Sequence, residues 1–191
     1  MPMEPNPKDG STSCDDLAAR VLAACETRGL RIAAAESLTG GLLADAFVRV
    51  PGASRVFLGS AVTYDINAKA SILGVDAALL EREGAVHPEV ARQMAEGTAR
   101  LYAQSEYGDA VIGLSTTGVA GPGPDGDKPA GLAYVGISLP PCLAGGERHT
   151  RAFELHVPGG REEVRRGVVA RLLARLDEAL GMRSGGTSGE A

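Results

Sequence analysis

A serine followed closely by two glycines is the first feature of this sequence that could do chemistry. Ser37 stands in AAAESLTGGLLADAF, between a run of small apolar residues and a segment that is apolar at helical spacing. Serine is a common N-terminal cap of helices, so a purely structural role is the ordinary interpretation. The alternative is a nucleophile, because a turn entering a helix leaves backbone N–H groups free, and Gly40 and Gly41 let a substrate approach the backbone. The N–H groups around Thr39 and Gly40 would then form an oxyanion hole.

A serine nucleophile needs a base, and a lysine is the distinctive candidate in this chain. Only three of the 19 basic residues are lysine: Lys8, Lys69 and Lys128. Unlike arginine, a lysine can lose its proton near neutral pH when burial lowers its pKa. Lys69 in TYDINAKASILG is therefore a candidate base, and Tyr64 could hold the amine or relay a proton. The ordinary alternatives are a solvated helix lysine and an aromatic residue at a sheet edge.

Neither a histidine base nor a metal site is predicted. The histidines stand in no motif and are interpreted as surface or capping residues: His87, His149 and His156. The cysteines are odd in number and include no CxxC pair: Cys14, Cys25 and Cys142. A disulfide framework and a zinc site are therefore not indicated, and a reducing cytoplasm is the expected location. We expect no cofactor.

Two further stretches contain parts of a binding site for an anionic substrate. TTGVAGPGPDGDKP is a Gly/Pro-rich loop at the carboxyl end of a predicted strand, the usual place for ligands in α/β folds. Thr117, Gly118 and Gly121 are predicted to contact the substrate there, although a plain surface loop is the simpler interpretation. Arg161 follows two glycines at a predicted helix start, where a guanidinium and a helix N-terminus together suit a phosphate. A first-turn surface arginine is the alternative.

Apolar strands alternate with helices along the chain, which predicts an α/β fold. Strands are expected at 30–35, 56–64, 109–115, 131–139 and 148–156, and helices at 15–27, 41–48, 67–73, 88–107 and 162–180. The last two strands resemble a hairpin, so we expect a mixed sheet in a single-domain, three-layer α/β/α arrangement. Residues 1–12 and 182–191 are predicted to be disordered tails of a domain at 13–181.

The composition is that of an ordinary globular protein and argues against a nucleic-acid-binding or membrane-associated protein. The chain has 191 residues, 44% hydrophobic and 23% charged, with a net charge of -5 and interspersed signs. A nucleic-acid groove needs clustered basic residues, so no direct nucleic-acid binding is expected. No apolar run is long enough to span a membrane, so no membrane association is expected.

The order of these motifs resembles that of the CinA C-terminal domain family, in its stand-alone form. The chain contains, in the family's order, AESLTGGLLA, VTYDINAKASILGV, GAVHPEVARQMAEG, TTGVAGPGPDGDKPAGLAYVGI and GGREEVRRGVV, over roughly Asp15 to Leu180. Larger members carry an additional molybdopterin-cofactor-like N-terminal domain, for which this chain is too short. It departs from the pattern at Leu38, where members often have cysteine, and at GPGPDGDKP, where many have GPGG.

The resemblance implies an amidohydrolase that converts nicotinamide mononucleotide to nicotinate mononucleotide and ammonia by a Ser/Lys mechanism, in pyridine nucleotide recycling. On the matching positions it implies Ser37 as the nucleophile and Lys69 and Tyr64 as its catalytic partners. It places the TG-x-AGP motif at Thr117–Pro122 and the motif arginine at Arg161. It also favours a homodimer. The alternatives are a non-catalytic nucleotide-binding or interaction module of the competence/damage-inducible type and an amidohydrolase of another small amide.

Overall fold

A computed structural model describes residues 13–181, which form a five-stranded sheet between two layers of helices. The strands are β1 (Arg31–Glu36), β2 (Phe57–Val62), β3 (Val111–Gly118), β4 (Leu132–Leu139) and β5 (His149–His156). The α-helices are α1 (Cys14–Thr27), α2 (Leu42–Val48), α3 (Ile66–Leu73), α4 (Ala77–Glu83), α5 (Pro88–Leu101) and α6 (Arg161–Ala179). The predicted tails at 1–12 and 182–191 lie outside the described residues.

The order of the strands places a ligand-binding position at the end of β1. The sheet runs β2-β1-β3-β4-β5, with β1 parallel to both of its neighbours and β4 and β5 antiparallel. The predicted mixed sheet and three-layer α/β/α class are therefore confirmed. From β1 the chain continues to β2 on one side and reaches β3 on the other, so the carboxyl end of β1 is a topological switch point. Open α/β sheets bind ligands at such points.

Small residues in β1 let helices pack closely on both faces of the sheet. Its sequence is RIAAAE, and every residue after Arg31 is buried. This is the continuous apolar pattern of a parallel strand covered on both sides. Helices α1, α2 and α6 pack together over one face, and α3, α4 and α5 lie over the other. Lys69, the candidate proton acceptor, therefore lies on α3 in one helical layer, and the turn after β1 leads into α2 in the other layer.

Helix α5 rests directly on the backbone of β3 and β4. A Cβ atom added at Gly113 would lie 1.9 Å from the carbonyl oxygen of Ala95, and one added at Gly136 would lie 2.5 Å from that of Ala91. Real Cβ atoms do not approach this closely, so both strand positions need glycine. The Ser115 hydroxyl also donates to the Ala91 carbonyl at 2.6 Å.

The structure differs from the sequence predictions at three elements. Helix α4 was not predicted, although Asp76 caps its first turn and Gly84 follows its end. Helix α5 ends at Leu101 instead of residue 107, because Tyr102 caps it and the following segment forms turns. Strand β3 continues to Gly118, since its last residues pair with β4. Within residues 13–181, the structure has no helix with the length and hydrophobicity needed to cross a membrane.

Candidate active site

The structure brings Ser37 and Lys69 into direct contact at the switch point. Ser37 follows the last residue of β1, and Lys69 lies in the first turn of α3, seven residues after the end of β2. The lysine Nζ is 3.1 Å from the serine Oγ. Lys69 has no exposed surface and Ser37 is 8% exposed. The solvated-lysine interpretation is therefore wrong, and a buried amine faces a buried hydroxyl.

The other two contacts of Lys69 determine how a neutral amine is oriented. Its Nζ is also 2.6 Å from the carbonyl oxygen of Thr63 and 3.3 Å from that of Tyr64. A carbonyl can only accept a hydrogen bond, whereas a serine hydroxyl can donate one. A neutral lysine has two N–H bonds and one lone pair. The two carbonyls take both N–H bonds, so the lone pair is left facing the Ser37 hydroxyl.

Burial also makes the neutral form accessible. It lowers the pKa of the Lys69 ammonium from 10.5 to about 8, against the opposing effect of the Asp65 carboxylate. With a pKa of about 8, roughly a tenth of this lysine is neutral at pH 7. An amine with the ordinary pKa would be neutral in only about 0.03% of molecules. Burial therefore raises the neutral fraction of Lys69 at pH 7 by a factor of roughly several hundred.

A buried carboxylate shapes the turn after Ser37. We refer to residues 37–41 as the serine turn. The Glu36 side chain has no exposed surface and accepts five hydrogen bonds at 2.7–3.0 Å. The donors are the hydroxyls of Thr39 and Ser60 and the N–H groups of Gly41, Leu43 and Ala44. Glu36 thus occupies the N-terminus of α2, which the sequence predicted to be open to substrate.

This arrangement changes which backbone groups are available for an oxyanion. The N–H of Gly40 donates to the Ser37 carbonyl at 3.1 Å, and that of Gly41 donates to Glu36. Neither of these two predicted donors is therefore free. Within residues 13–181, the N–H groups of Leu38 and Thr39 have no hydrogen-bond acceptor. Thr39 therefore stays a predicted donor, and the N–H of Leu38 is a second candidate in place of the glycines.

Three of the predicted site residues, the catalytic candidate Tyr64 and the binding candidates Gly121 and Arg161, contact one another. Arg161, the first residue of α6, donates to the Gly121 carbonyl at 2.7 Å and to the Tyr64 hydroxyl at 3.2 Å. The Tyr64 side chain is exposed, and its hydroxyl contacts arginine instead of the Ser37–Lys69 pair. Tyr64 therefore contacts the amine through its backbone carbonyl, and within residues 13–181 its hydroxyl makes no hydrogen bond to Ser37 or Lys69.

Two residues that were predicted to contact the substrate, Thr117 and Gly118, have other contacts in the structure. The Thr117 hydroxyl donates to the Ala85 carbonyl at 2.7 Å, and Thr117 is fully buried within β3. Gly118 packs so tightly that an added Cβ would lie 2.6 Å from the Cα of Ala133. Strand pairing and packing account for both residues, because β3 continues through positions that the sequence analysis placed in the loop. Their contact with substrate stays a prediction.

Sequence reasoning missed two charged residues that contact the serine turn. Glu36 directly precedes Ser37, and a carboxylate at the end of an apolar strand was a usable signal. Arg165 donates to the carbonyls of Leu38 and Thr39 at 2.9 and 2.8 Å. It stands four residues after Arg161, on the same face of α6, so the helical spacing could have identified it. The Thr63 Oγ1 is buried beside Lys69 without a hydrogen-bond partner in the described residues.

The comparison with family models matches residues 14–180 to the CinA C-terminal domain. The chain belongs to this family. The crystal structure of the competence/damage inducible protein CihA from Agrobacterium tumefaciens is similar, with 30% identity and a TM-score of 0.76 over 94% of this chain and 99% of that chain. The competence damage-inducible protein A (ComA) of Klebsiella pneumoniae gives 29% identity and a TM-score of 0.77, over 91% of this chain and 100% of the other.

Curated relatives of this CinA-family chain are longer proteins. It is 44% identical over 151 residues to a CinA-like protein of Frankia casuarinae, covering 79% of this chain and 32% of the relative. The chain thus spans about a third of the length of the curated relatives that it matches. The shared part is the domain that contains the Ser37–Lys69 pair.

Proposed function

We propose that this CinA-family protein is an amidohydrolase that deamidates nicotinamide mononucleotide to nicotinate mononucleotide and ammonia. The observation that carries the proposal is the 3.1 Å contact between the buried Lys69 Nζ and the Ser37 Oγ. A serine beside a lysine of lowered pKa is the arrangement of covalent acyl-transfer catalysis. The family resemblance supplies the substrate.

The geometry supports the following first step. Neutral Lys69 accepts the hydroxyl proton of Ser37, and Oγ attacks the carboxamide carbon. The new oxyanion is stabilised by the N–H groups of Leu38 and Thr39, which have no acceptor in the described residues. Protonated Lys69 then gives its proton to the leaving nitrogen, so that ammonia departs and an acyl-enzyme remains.

Hydrolysis of the acyl-enzyme uses the same groups in reverse. Lys69, neutral again, takes a proton from water as the water oxygen attacks the acyl carbon. Returning that proton to Ser37 releases the product acid, which loses its remaining proton to solvent and becomes the carboxylate. The exposed Arg161 guanidinium, between the Tyr64 hydroxyl and the Gly121 carbonyl, is placed to bind the substrate phosphate.

Ammonia release from nicotinamide mononucleotide by the full chain tests the proposal. We expect Ser37→Ala and Lys69→Ala to lower turnover at least about 10³-fold, since nucleophile and base act as a unit. Lys128→Ala is the comparison for loss of a lysine, because Lys128 donates to the Glu83 carbonyl and makes no hydrogen bond to Ser37 or Lys69 in the described residues. Unchanged rates in the Ser37 and Lys69 variants would remove both residues from the mechanism.

A substrate series separates this function from its alternatives. Arg161→Ala should raise KM for the mononucleotide and leave the KM for nicotinamide riboside unchanged, because only the mononucleotide has the phosphate. Calorimetric binding of the mononucleotide without ammonia release would instead support a non-catalytic nucleotide-binding module. Hydrolysis of unphosphorylated amides at equal rates would indicate another amide substrate.

We also propose that the protein acts in the cytoplasm as a homodimer. All three cysteines are free in the structure, as is usual in a reducing compartment: Cys14, Cys25 and Cys142. The dimer rests on the family resemblance and on the exposed apolar side chains of Val62 and Ile66 beside the edge strand β2. Sedimentation equilibrium of the full chain tests it, and a monomeric mass at micromolar concentration would contradict it.

A further inference from the structure

Arg165 lies across the serine turn and binds two successive carbonyl groups. Its Nε donates to the Leu38 carbonyl at 2.9 Å and its Nη2 to the Thr39 carbonyl at 2.8 Å. The remaining Nη1 donates to Glu162 at 2.8 Å, which fixes the guanidinium on the helix. All three nitrogens are therefore engaged, and the side chain is only 24% exposed. A guanidinium held in this way imposes one geometry on the turn.

The geometry of the peptide bond converts these contacts into an orientation of N–H groups. In a planar trans peptide the C=O and the following N–H point in opposite directions. Because Arg165 holds the Leu38 carbonyl, the N–H of Thr39 must point away from α6. The bond from the Gly40 N–H to the Ser37 carbonyl fixes the N–H of Leu38 in the same way.

We propose that Arg165 is a positioning residue for the reaction, which holds the Thr39 N–H toward the oxyanion by fixing the Leu38 carbonyl. This inference rests on the proposed function and concerns the same site. Without the guanidinium, the Leu38 carbonyl has no hydrogen-bond donor in the described residues, and the peptide between Leu38 and Thr39 rotates more easily, although the Thr39 carbonyl still accepts from the Leu42 N–H at 3.1 Å. Such a rotation would direct a carbonyl oxygen, instead of an N–H, at the developing negative charge. The cation also polarises the peptides that it binds, which strengthens the opposite N–H groups as donors.

The space around Gly40 agrees with this role. Gly40 has a φ of +52°, and an added Cβ would lie 3.5 Å from Arg165 Nη2. Glycine therefore gives the turn a left-handed residue next to the guanidinium. Neighbouring Arg166 provides a natural comparison, since it pairs with the same Glu162 at 2.8 Å but is 66% exposed and makes no bond to the serine turn.

The first test compares Arg165→Met and Arg165→Lys with Arg166→Ala, all in the full chain. We expect kcat for the mononucleotide to fall about 10²-fold in Arg165→Met, the usual effect of losing one oxyanion donor, with KM within about twofold. Arg165→Lys should recover part of the loss, since an ammonium can bind one of the two carbonyls. Arg166→Ala should match wild type in both parameters.

The pH profile separates positioning from a general loosening of the site. Arg165 makes no hydrogen bond to Lys69, so its loss should lower the height of the rate profile and leave the midpoint where it is. Loosening would admit water to Lys69, raise the pKa of its ammonium and move the midpoint to higher pH. An upward midpoint shift with a raised KM in Arg165→Met would therefore overturn the proposal, as would an unchanged kcat.

Labelling with a fluorophosphonate provides a readout that does not depend on the nicotinamide substrate. The Ser37 Oγ forms a bond to phosphorus, fluoride leaves, and the serine proton passes to Lys69. We expect labelling to slow in Arg165→Met and not in Arg166→Ala. A wild-type protein that is labelled but releases no ammonia would contradict the proposed substrate, and the labelling rates would then decide the role of Arg165. A wild-type protein that does neither overturns both proposals.

Discussion

The environment of a lysine, more than its presence, decides what it can do in this protein. Lys69 and Lys128 both donate to backbone carbonyls at 2.6 Å. Only Lys69 is fully buried and has a hydroxyl as a further neighbour. The scarcity of lysine in the sequence drew attention to this residue, but its contact with Ser37 is a property of the fold.

The rate of ammonia release should follow the ionisation of this one amine. Burial lowers the pKa of Lys69 to about 8, and only the neutral form can accept the serine proton. We therefore expect kcat/KM to rise about tenfold per pH unit up to pH 7.5 and to level off above pH 8.5. Stopped assays from pH 6 to 10 measure the profile.

The variant Lys69→Arg tests whether the basicity of Lys69, and not its charge, is needed for ammonia release. Arginine keeps a positive charge and several donors but does not release its proton in this pH range. Turnover should fall by at least about 10³-fold and should not recover at high pH. A variant that retains activity would show that the charge of Lys69, instead of its basicity, is what the reaction needs.

The carboxylate of Glu36 binds the N-terminus of helix α2, next to the candidate site. Helix α2 has only seven residues, and the Glu36 side chain accepts N–H bonds from its cap and first turn. Glu36→Ala leaves these buried and half-buried donors without their acceptor. We expect the free energy of unfolding to fall by roughly 3–5 kcal/mol, measured by urea denaturation.

Two comparison variants show whether the loss of stability in Glu36→Ala comes from the missing hydrogen-bond acceptor. Glu36→Gln keeps the side-chain volume but turns an amide NH₂ toward backbone donors, so it should also destabilise, by less than Glu36→Ala. Glu81→Ala, on the exposed face of α4, should leave the unfolding midpoint nearly unchanged. Equal midpoints for Glu36→Ala and wild type would mean that another group satisfies the helix.

The close packing of α5 on the sheet leads to a second prediction for an element. Gly113→Ala would place a methyl group 1.9 Å from the Ala95 carbonyl, so the helix would have to shift away from β3. We expect a loss of at least about 2 kcal/mol in the free energy of unfolding. Gly160→Ala is the control, because its nearest atom would be 3.5 Å away and its φ is -76°. Similar midpoints for the two variants would contradict the close packing.

The elements were predictable to the extent that local pattern determines them. The apolar stretch before Ser37 and the helical spacing in residues 162–180 placed β1 and α6 nearly where they lie. Helix α4 was missed because its seven residues offer too few turns for a periodic pattern. The end of β3 was misplaced because long-range pairing with β4, and not local composition, extends it.

At the scale of the whole molecule, the buried lysine should make stability depend on pH. The pKa of Lys69 is about 8 in the fold and returns to 10.5 in the unfolded chain. Between these values the unfolded state binds more protons, so the free energy of unfolding rises with pH across that window. The full difference amounts to about 3 kcal/mol.

Urea denaturation at several pH values, for wild type and Lys69→Met, isolates this effect. The comparison is needed because burial raises the pKa of the Cys25 thiol to about 12, which lowers stability as pH rises above 9. Subtracting the variant removes the contribution of the thiol. A difference between the two proteins that stays constant from pH 8 to 10.5 would show that the lysine is not desolvated.

Only part of the candidate site could be predicted from the sequence, because some of its contacts join residues that are far apart in the chain. Ser37, Lys69 and Arg161 stand in recognisable local settings, and the structure brings each of them to the same edge of the sheet. The roles of Glu36 and Arg165 depend on bonds across the turn and across 127 positions of chain, respectively. No local pattern reports which backbone groups remain free once such bonds have formed.

Helix α6, which supplies Arg161 and Arg165, is the last helix within residues 13–181. A chain truncated before Arg161 would keep Ser37 and Lys69 but lose both of these guanidinium groups. Prematurely terminated products would therefore hold a serine and an amine without the means to orient a substrate.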